Sequence, residues 1–239
     1  MEIPSKSSHW AVERMSYWLL FHAALITGSL CWFFFAGSII PLLLSSWISF
    51  AGMARATREE WRNQYWLGGP GNWITWLRLV LISVFLLLLP TASPLLLAGA
   101  GLLEILLDAF DGRLARRYGS TSLFGAYLDQ EVDAFFVLVM STGLYERGYA
   151  GAWILTLGLL RYLFVYVNHF LKTPRQEEVR SNYARIIAGI IMVGLPTAFL
   201  TPPWLYQPAL PLLGLLLGYS FLRGFLEQVK SWRVEKLKG

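Results

Sequence analysis

Eight apolar stretches dominate this chain, at 17–36, 39–53, 74–89, 95–113, 125–145, 152–171, 183–200 and 205–226. A helix crossing the hydrocarbon core of a bilayer needs about 20 mostly apolar residues. Inside that core every backbone polar group must find its partner within the protein, so the stretches predict helices. The second is short and is compatible with a re-entrant segment; Pro41 near its start is tolerable in a first turn. Pro90, Pro94, Pro202 and Pro203 punctuate two tight connections. Of the residues 56% are hydrophobic and 15% charged, against about 25% charged in a soluble domain. An integral membrane protein accounts for both values. The many Trp, Tyr and Phe residues suit interfacial belts. The lone Cys31 excludes an internal disulfide and a cysteine-rich metal site. The polar N-terminus lacks the pattern of a cleavable signal peptide.

The basic residues set the orientation. With a cytoplasmic N-terminus, eight crossings return the C-terminus to the cytoplasm. Seventeen of the 20 Lys and Arg residues then lie inside, Arg147 alone lies outside, and Arg78 and Arg161 fall within spans. Such a bias in short loops is the positive-inside pattern. The net charge of +5 therefore reads as topology plus attraction to anionic headgroups. Nucleic acid is not an expected partner, because the basic residues are dispersed over membrane-proximal loops. The stretch ARATREEWRNQYWL, 54–67, mixes charge with aromatic side chains and is expected to lie on the inner surface as an interfacial helix.

Carboxylates crowd one boundary of the membrane. Asp108 and Asp111 lie on one side of the fourth span, about one turn apart. Asp129 and Asp133 share a face of the fifth. The first pair ends an inward-running helix and the second begins an outward-running one, so both reach similar depth near the cytoplasmic face. Four unpaired charges there would repel and be costly to hold. Divalent cations relieve both problems, and an all-oxygen set favours Mg²⁺, Mn²⁺ or Ca²⁺ over zinc. Two such ions suit phosphoryl transfer. Neutralisation by Arg113, Arg116 and Arg117 is one alternative, and a cation path through the membrane is another. The outer half of the fifth span, however, supplies no continuing polar path. Glu104 lies a turn above Asp108, as a support for the motif helix or as a polar packing residue. Glu131 points away from the Asp129–Asp133 face. His9, His22 and His169 form no metal spacing.

The pattern Asp108-x2-Asp111-Gly112-x2-Ala115-Arg116-x8-Gly125-x3-Asp129-x3-Asp133 resembles the signature of the CDP-alcohol phosphotransferases at every fixed position. Upstream, Asn72, Thr75 and Arg78 match the Asn-x2-Thr-x2-Arg entry to that family's first core helix. The resemblance covers roughly residues 72–226. It implies a six-helix core, here preceded by two extra N-terminal transmembrane helices. The expected organisation is an N-terminal segment 1–68, a catalytic transmembrane domain 69–228 and a basic cytoplasmic tail 229–239. It also implies transfer of a substituted phosphate from a CDP-linked lipid, usually CDP-diacylglycerol, to an alcohol, with release of CMP. Asp108, Asp111 and Asp129 would hold two Mg²⁺ or Mn²⁺ ions. Asp133 would sit at the metal site and serve as general base. Gly112, Ala115 and Gly125 would admit the nucleotide and Arg116 would hold its diphosphate, with Asn72 and Thr75 lining the donor site.

The acceptor, a small alcohol or phosphorylated polyol, is less constrained. Lys172, Arg175, Arg180 and Arg185 crowd one loop and can grip an acceptor phosphate, or serve only as topology signals. Arg161 in mid-span must pair or face a cavity. LKTPRQ, 171–176, resembles a Lys-Thr segment of phosphatidylglycerophosphate synthases but is too short to choose an acceptor. A bacterial inner membrane location, surrounding lipids and a homodimer complete the expectations. The rival reading is a non-enzymatic cation-binding transporter or scaffold, which would not need the Gly112, Ala115, Arg116 and Gly125 spacing.

Overall fold

A computed structural model describes residues 6–61, 66–118, 122–170 and 182–238. Side chains are described throughout these ranges except at 6–13, 60, 111, 115, 116, 123, 182 and 228–238. Among the described residues the chain is helical, without strands. In order the helices are α1 (Lys6–Ala36), α2 (Ile40–Ala56), α3 (Arg58–Trp61), α4 (Pro70–Leu88), α5 (Pro94–Tyr118), α6 (Leu123–Glu146), α7 (Leu155–Phe170), α8 (Asn182–Thr197) and α9 (Pro203–Lys238). Each of the eight apolar stretches forms one of the long helices. Five spans are long and apolar enough to cross a bilayer, 14–36, 70–88, 152–170, 183–200 and 203–227. The helix α2 is apolar but shorter. The acidic residues Glu104, Asp108 and Asp111 keep α5 out of that set, and Asp129, Glu131 and Asp133 keep α6 out. The architecture is that of an all-α polytopic membrane protein.

Local chemistry sets the ends. Proline opens α4, α5 and α9, where its missing N–H costs nothing. The Ser93 hydroxyl accepts from the Leu96 amide at 3.2 Å, and Ser122 accepts from Gly125 at 3.0 Å, so each serine caps the helix that follows. Gly37 stops α1 with φ 68°, its amide bonded to the Phe33 carbonyl. Within 54–67, α2 ends at Ala56, Thr57 turns its hydroxyl back to the Met53 carbonyl, and α3 is a single turn. Residues 62–65 lie outside the described set. The C-terminal tail continues α9 as helix to Lys238.

By packing, the chain forms two compact units, with boundaries inside α4, α5 and α6. The first comprises Met1–Leu86 and Leu106–Asp133. In it, α1 and α2 are joined by hydrogen bonds. The Trp18 indole donates to the Ser49 carbonyl at 2.9 Å, and Ser29 donates to Ser45 at 2.8 Å. The Trp47 indole on α2 donates to Ser83 on α4 at 3.0 Å. His22, fully buried, places Nδ1 2.8 Å from the Ser49 hydroxyl and Nε2 3.9 Å from Glu131 on α6. Its ring stacks on Trp18 and meets the edge of Phe50. The extra N-terminal helices are thus fastened by polar contacts to α4 and α6.

The second unit comprises Leu87–Ile105 and Ala134–Gly239. Here glycines admit a neighbouring helix at close range, as small residues do in membranes. A Cβ at Gly158 on α7 would lie 2.5 Å from the Leu138 Cα on α6, and one at Gly194 on α8 would lie 2.6 Å from Leu213 on α9. Three turns are tied together at one end. Arg147, just past α6, donates through Nε to the Leu89 carbonyl at 2.6 Å and through Nη2 to the Ala92 carbonyl. Tyr149 donates to the Phe199 carbonyl at 3.3 Å and packs its ring on Phe199 and Tyr206. The α4–α5, α6–α7 and α8–α9 connections therefore share one end, as alternate crossings require.

Candidate metal centre

The helix α4 carries Asn72, Thr75 and Arg78 at intervals of three, which places them on one side. All three are buried, Arg78 completely. Opposite them in the first unit come Asp108 from α5 and Asp129 and Asp133 from α6. One carboxylate oxygen from each of these aspartates lies within 4.8 Å of the others. Their side chains remain 32%, 33% and 27% exposed, so the cluster opens to a ligand. The expected convergence of carboxylates from two consecutive helices is present for these three. The side chains of Asp111, Ala115 and Arg116 lie outside the described residues, and Gly112 is half-buried on α5.

A guanidinium sits among the carboxylates. Arg78 Nη1 donates to Asp108 and Asp129, each at 2.9 Å, and Nη2 donates to Asp133 at 2.5 Å. Neutralisation by the neighbours Arg113, Arg116 and Arg117 is the alternative to metal that the sequence offers. Among the described side chains, a cation on the acids comes from α4, thirty residues upstream of Asp108, while Arg113 lies 6.0 Å over the Phe110 ring. Arg78 is the partner of the acids that proximity in sequence missed. The signal was an arginine inside an apolar span, a placement that demands a partner.

The donor set fits a divalent cation. It consists only of carboxylate oxygens, the ligand type of Mg²⁺ and Mn²⁺. It is also close enough together to share one cation, as Arg78 demonstrates. At Gly125 a Cβ would lie 2.5 Å from Asn72 Oδ1, so the glycine leaves room for the Asn72 side chain beside the N-terminal turn of α6. Thr75 donates to the Gly71 carbonyl at 3.3 Å. Glu131, on the far side of α6, faces His22. Glu104 is buried in the second unit. Of the candidate acceptor residues, Arg161 is half-buried on α7 and Arg185 exposed on α8, both in the second unit. Lys172, Arg175 and Arg180, with the LKTPRQ segment beyond Phe170, lie outside the described residues.

Two curated relatives carry the same kind of sequence. A protein named "Probable phosphatidylglycerophosphate synthase" from Mycobacterium tuberculosis (strain ATCC 25618 / H37Rv) is 35% identical over 102 residues, 40% of this chain and 49% of its own length. A "CDP-diacylglycerol--glycerol-3-phosphate 3-phosphatidyltransferase" from Sodalis glossinidius is 39% identical over 86 residues, 35% of this chain and 47% of its own. The chain thus spans about half the length of the curated relatives it matches. The CDP-alcohol phosphatidyltransferase family matches residues 70–220, from the first residue of α4 into α9. With that match covering more than half of its 239 residues, and with three motif aspartates meeting at one point, the chain belongs to the CDP-alcohol phosphatidyltransferase family.

Proposed function

We propose that the chain transfers a phosphatidyl group from CDP-diacylglycerol to glycerol 3-phosphate, releasing CMP, at the cytoplasmic face of a bacterial inner membrane. The observation that carries this is the meeting of Asp108, Asp129 and Asp133 within 4.8 Å on two consecutive helices. The printed names of the relatives support the choice of donor and acceptor. The distribution of basic residues supports cytoplasmic termini.

Asp108 and Asp129, with Asp111, would hold two Mg²⁺ or Mn²⁺ ions. Such ions, when bound, offset the charge of the donor diphosphate and of the departing phosphate. Asp133 accepts the proton of the acceptor hydroxyl. The hydroxyl oxygen forms a bond to the lipid-bearing phosphorus, and the bond from that phosphorus to the bridging oxygen breaks. Its electron pair leaves with CMP. The donor's tails belong in lipid and its cytidine in water, so a diphosphate site at the boundary suits both. Gly112, Ala115, Arg116, Asn72 and Thr75 are proposed to line the donor site, and Arg161, Lys172, Arg175, Arg180 and Arg185 to grip the acceptor phosphate. Pairing of two copies in the membrane is proposed as well and leaves this chemistry unaltered.

The test is CMP release by the purified chain with CDP-diacylglycerol, Mg²⁺ or Mn²⁺, and a panel comprising glycerol 3-phosphate, inositol phosphate, inositol and serine. Release with glycerol 3-phosphate alone is expected. Release with a different alcohol would replace the acceptor, and no release from folded protein with any of them would overturn the reading.

A further inference from the structure

We infer that Arg78 is an exchangeable counter-ion: its guanidinium and a divalent metal compete for the same oxygens of Asp108, Asp129 and Asp133. The inference rests on reading the cluster as a metal site and is independent of the acceptor.

The geometry requires a choice between the two cations. Both Nη atoms of Arg78 are committed to the cluster, and each contacted oxygen is an Oδ1 atom. One oxygen of each of these three carboxylates lies within 4.8 Å of the others, the spacing that would gather them around an ion. A guanidinium keeps its proton at any ordinary pH, so it cannot be neutralised to make room. The carboxylate charge that would hold a metal is already engaged by the guanidinium, and the repulsion between the two cations adds to the cost of holding both on these three groups. Metal entry must therefore turn the carboxylates away from Arg78 or move the guanidinium off them.

The balance of charge explains why an arginine stands here. Three carboxylates facing one another at a membrane boundary would be costly without a cation. Arg78 removes part of that cost before metal arrives, which lets α4, α5 and α6 assemble in its absence. The same service taxes metal binding. If the open form is only a fraction of the metal-free protein, the apparent dissociation constant rises by the inverse of that fraction. Arg78 is thus a positioning residue in the metal-free state and a competitor in the metal-binding step.

The experiment measures Mn²⁺ binding to the full chain in detergent by electron paramagnetic resonance of the free ion, with neither donor nor acceptor present. Arg78→Gln removes the competing charge and is expected to tighten Mn²⁺ binding about tenfold or more, corresponding to an open fraction below about a tenth. Arg78→Lys keeps one charge but cannot bridge three carboxylates, so it should fall between wild type and Arg78→Gln. In thermal unfolding, metal-free Arg78→Gln should melt below wild type and recover more on Mn²⁺ addition. Unchanged or weaker Mn²⁺ binding in Arg78→Gln would overturn the proposal, since Arg78 would then be scaffolding for the ligands. Should Arg78→Gln fail to fold, Arg78→Lys decides alone: tighter binding than wild type supports the exchange, and equal or weaker binding overturns it. Failure of CMP release would leave this result standing, so the two readings fall separately.

Discussion

In the first unit, eleven of the described buried residues are polar or charged, from His22 to Glu131; in the second they are Glu104, Ser141 and Thr142. The difference extends to how helices are joined. Ser141 and Thr142 return their hydroxyls to carbonyls of their own helix, at Val137 and Leu138. In the first unit Thr57, Thr75 and Ser83 do the same, but other polar groups reach across, as from Trp18 to Ser49 and from Trp47 to Ser83. Lipid tails are as apolar as leucine, so membrane helices gain little by hiding leucines from them and associate through close packing or hydrogen bonds. The second unit uses the first device at Gly158 and Gly194, with hydrogen bonds from Arg147 and Tyr149 at its connections, and the first unit adds hydrogen bonds between the helices themselves. A polar interior is also where a charged substrate group can be met, and the aspartates lie there.

The comparison breaks most readily at the metal site. Removing divalent ions with excess chelator should reduce CMP release to background, whereas thermal unfolding should change much less, because Arg78 returns to the carboxylates. Turnover with metal removal confirmed would show that the polar unit is not a metal centre. Next in size is Asp133→Asn, which should lower turnover about 10²–10⁴-fold, as loss of a general base does. Its metal-free unfolding temperature should stay level or rise, since one of three mutually repelling charges is gone. A clear fall would make Asp133 a structural residue of the first unit.

The second unit should behave in the opposite way. Gly158→Ala places a methyl group 2.5 Å from the Leu138 Cα and should cost about 1–3 kcal/mol of stability by overpacking. The protein that remains folded should keep its activity per molecule. A loss of turnover without a loss of stability would erase the division of labour. Smallest is His22→Ala, expected to cost about 1 kcal/mol, the scale of a polar contact between membrane helices. Metal affinity measured alongside unfolding would sharpen the picture. Weaker Mn²⁺ binding would show that His22, through Glu131, also holds the register of α6.

The helices and the acid cluster were legible because their causes are local. Apolar length predicts a span, and four-residue spacing puts Asp129 and Asp133 on one face whatever surrounds them. The partner of the cluster was not legible in this way. Arg113, Arg116 and Arg117 are neighbours along the chain, but Arg78 is the neighbour in space, brought there by the packing of α4. The same holds for His22, whose contacts with Ser49 and Glu131 join helices far apart in sequence. Gly125 was readable as a place for close approach, but not the Asn72 side chain that fills it. Charge counts singled out Arg147 as the one basic residue expected across the membrane, but not its partners, the carbonyls of Leu89 and Ala92.

That pairing bears on any attempt to map sidedness with inserted epitopes. The short connection after α6, containing Gly148 at φ 73°, resembles a convenient insertion point. Yet Arg147 and Tyr149, on either side of that glycine, hold two other connections. An epitope between them would separate the two anchors, and a reporter fused after Glu146 would omit both. Either would read out a chain whose turns had been untied from one another. With the exposed Cys31 replaced, a single cysteine introduced at the half-buried Ala150 would probe the same side while leaving both anchors in place.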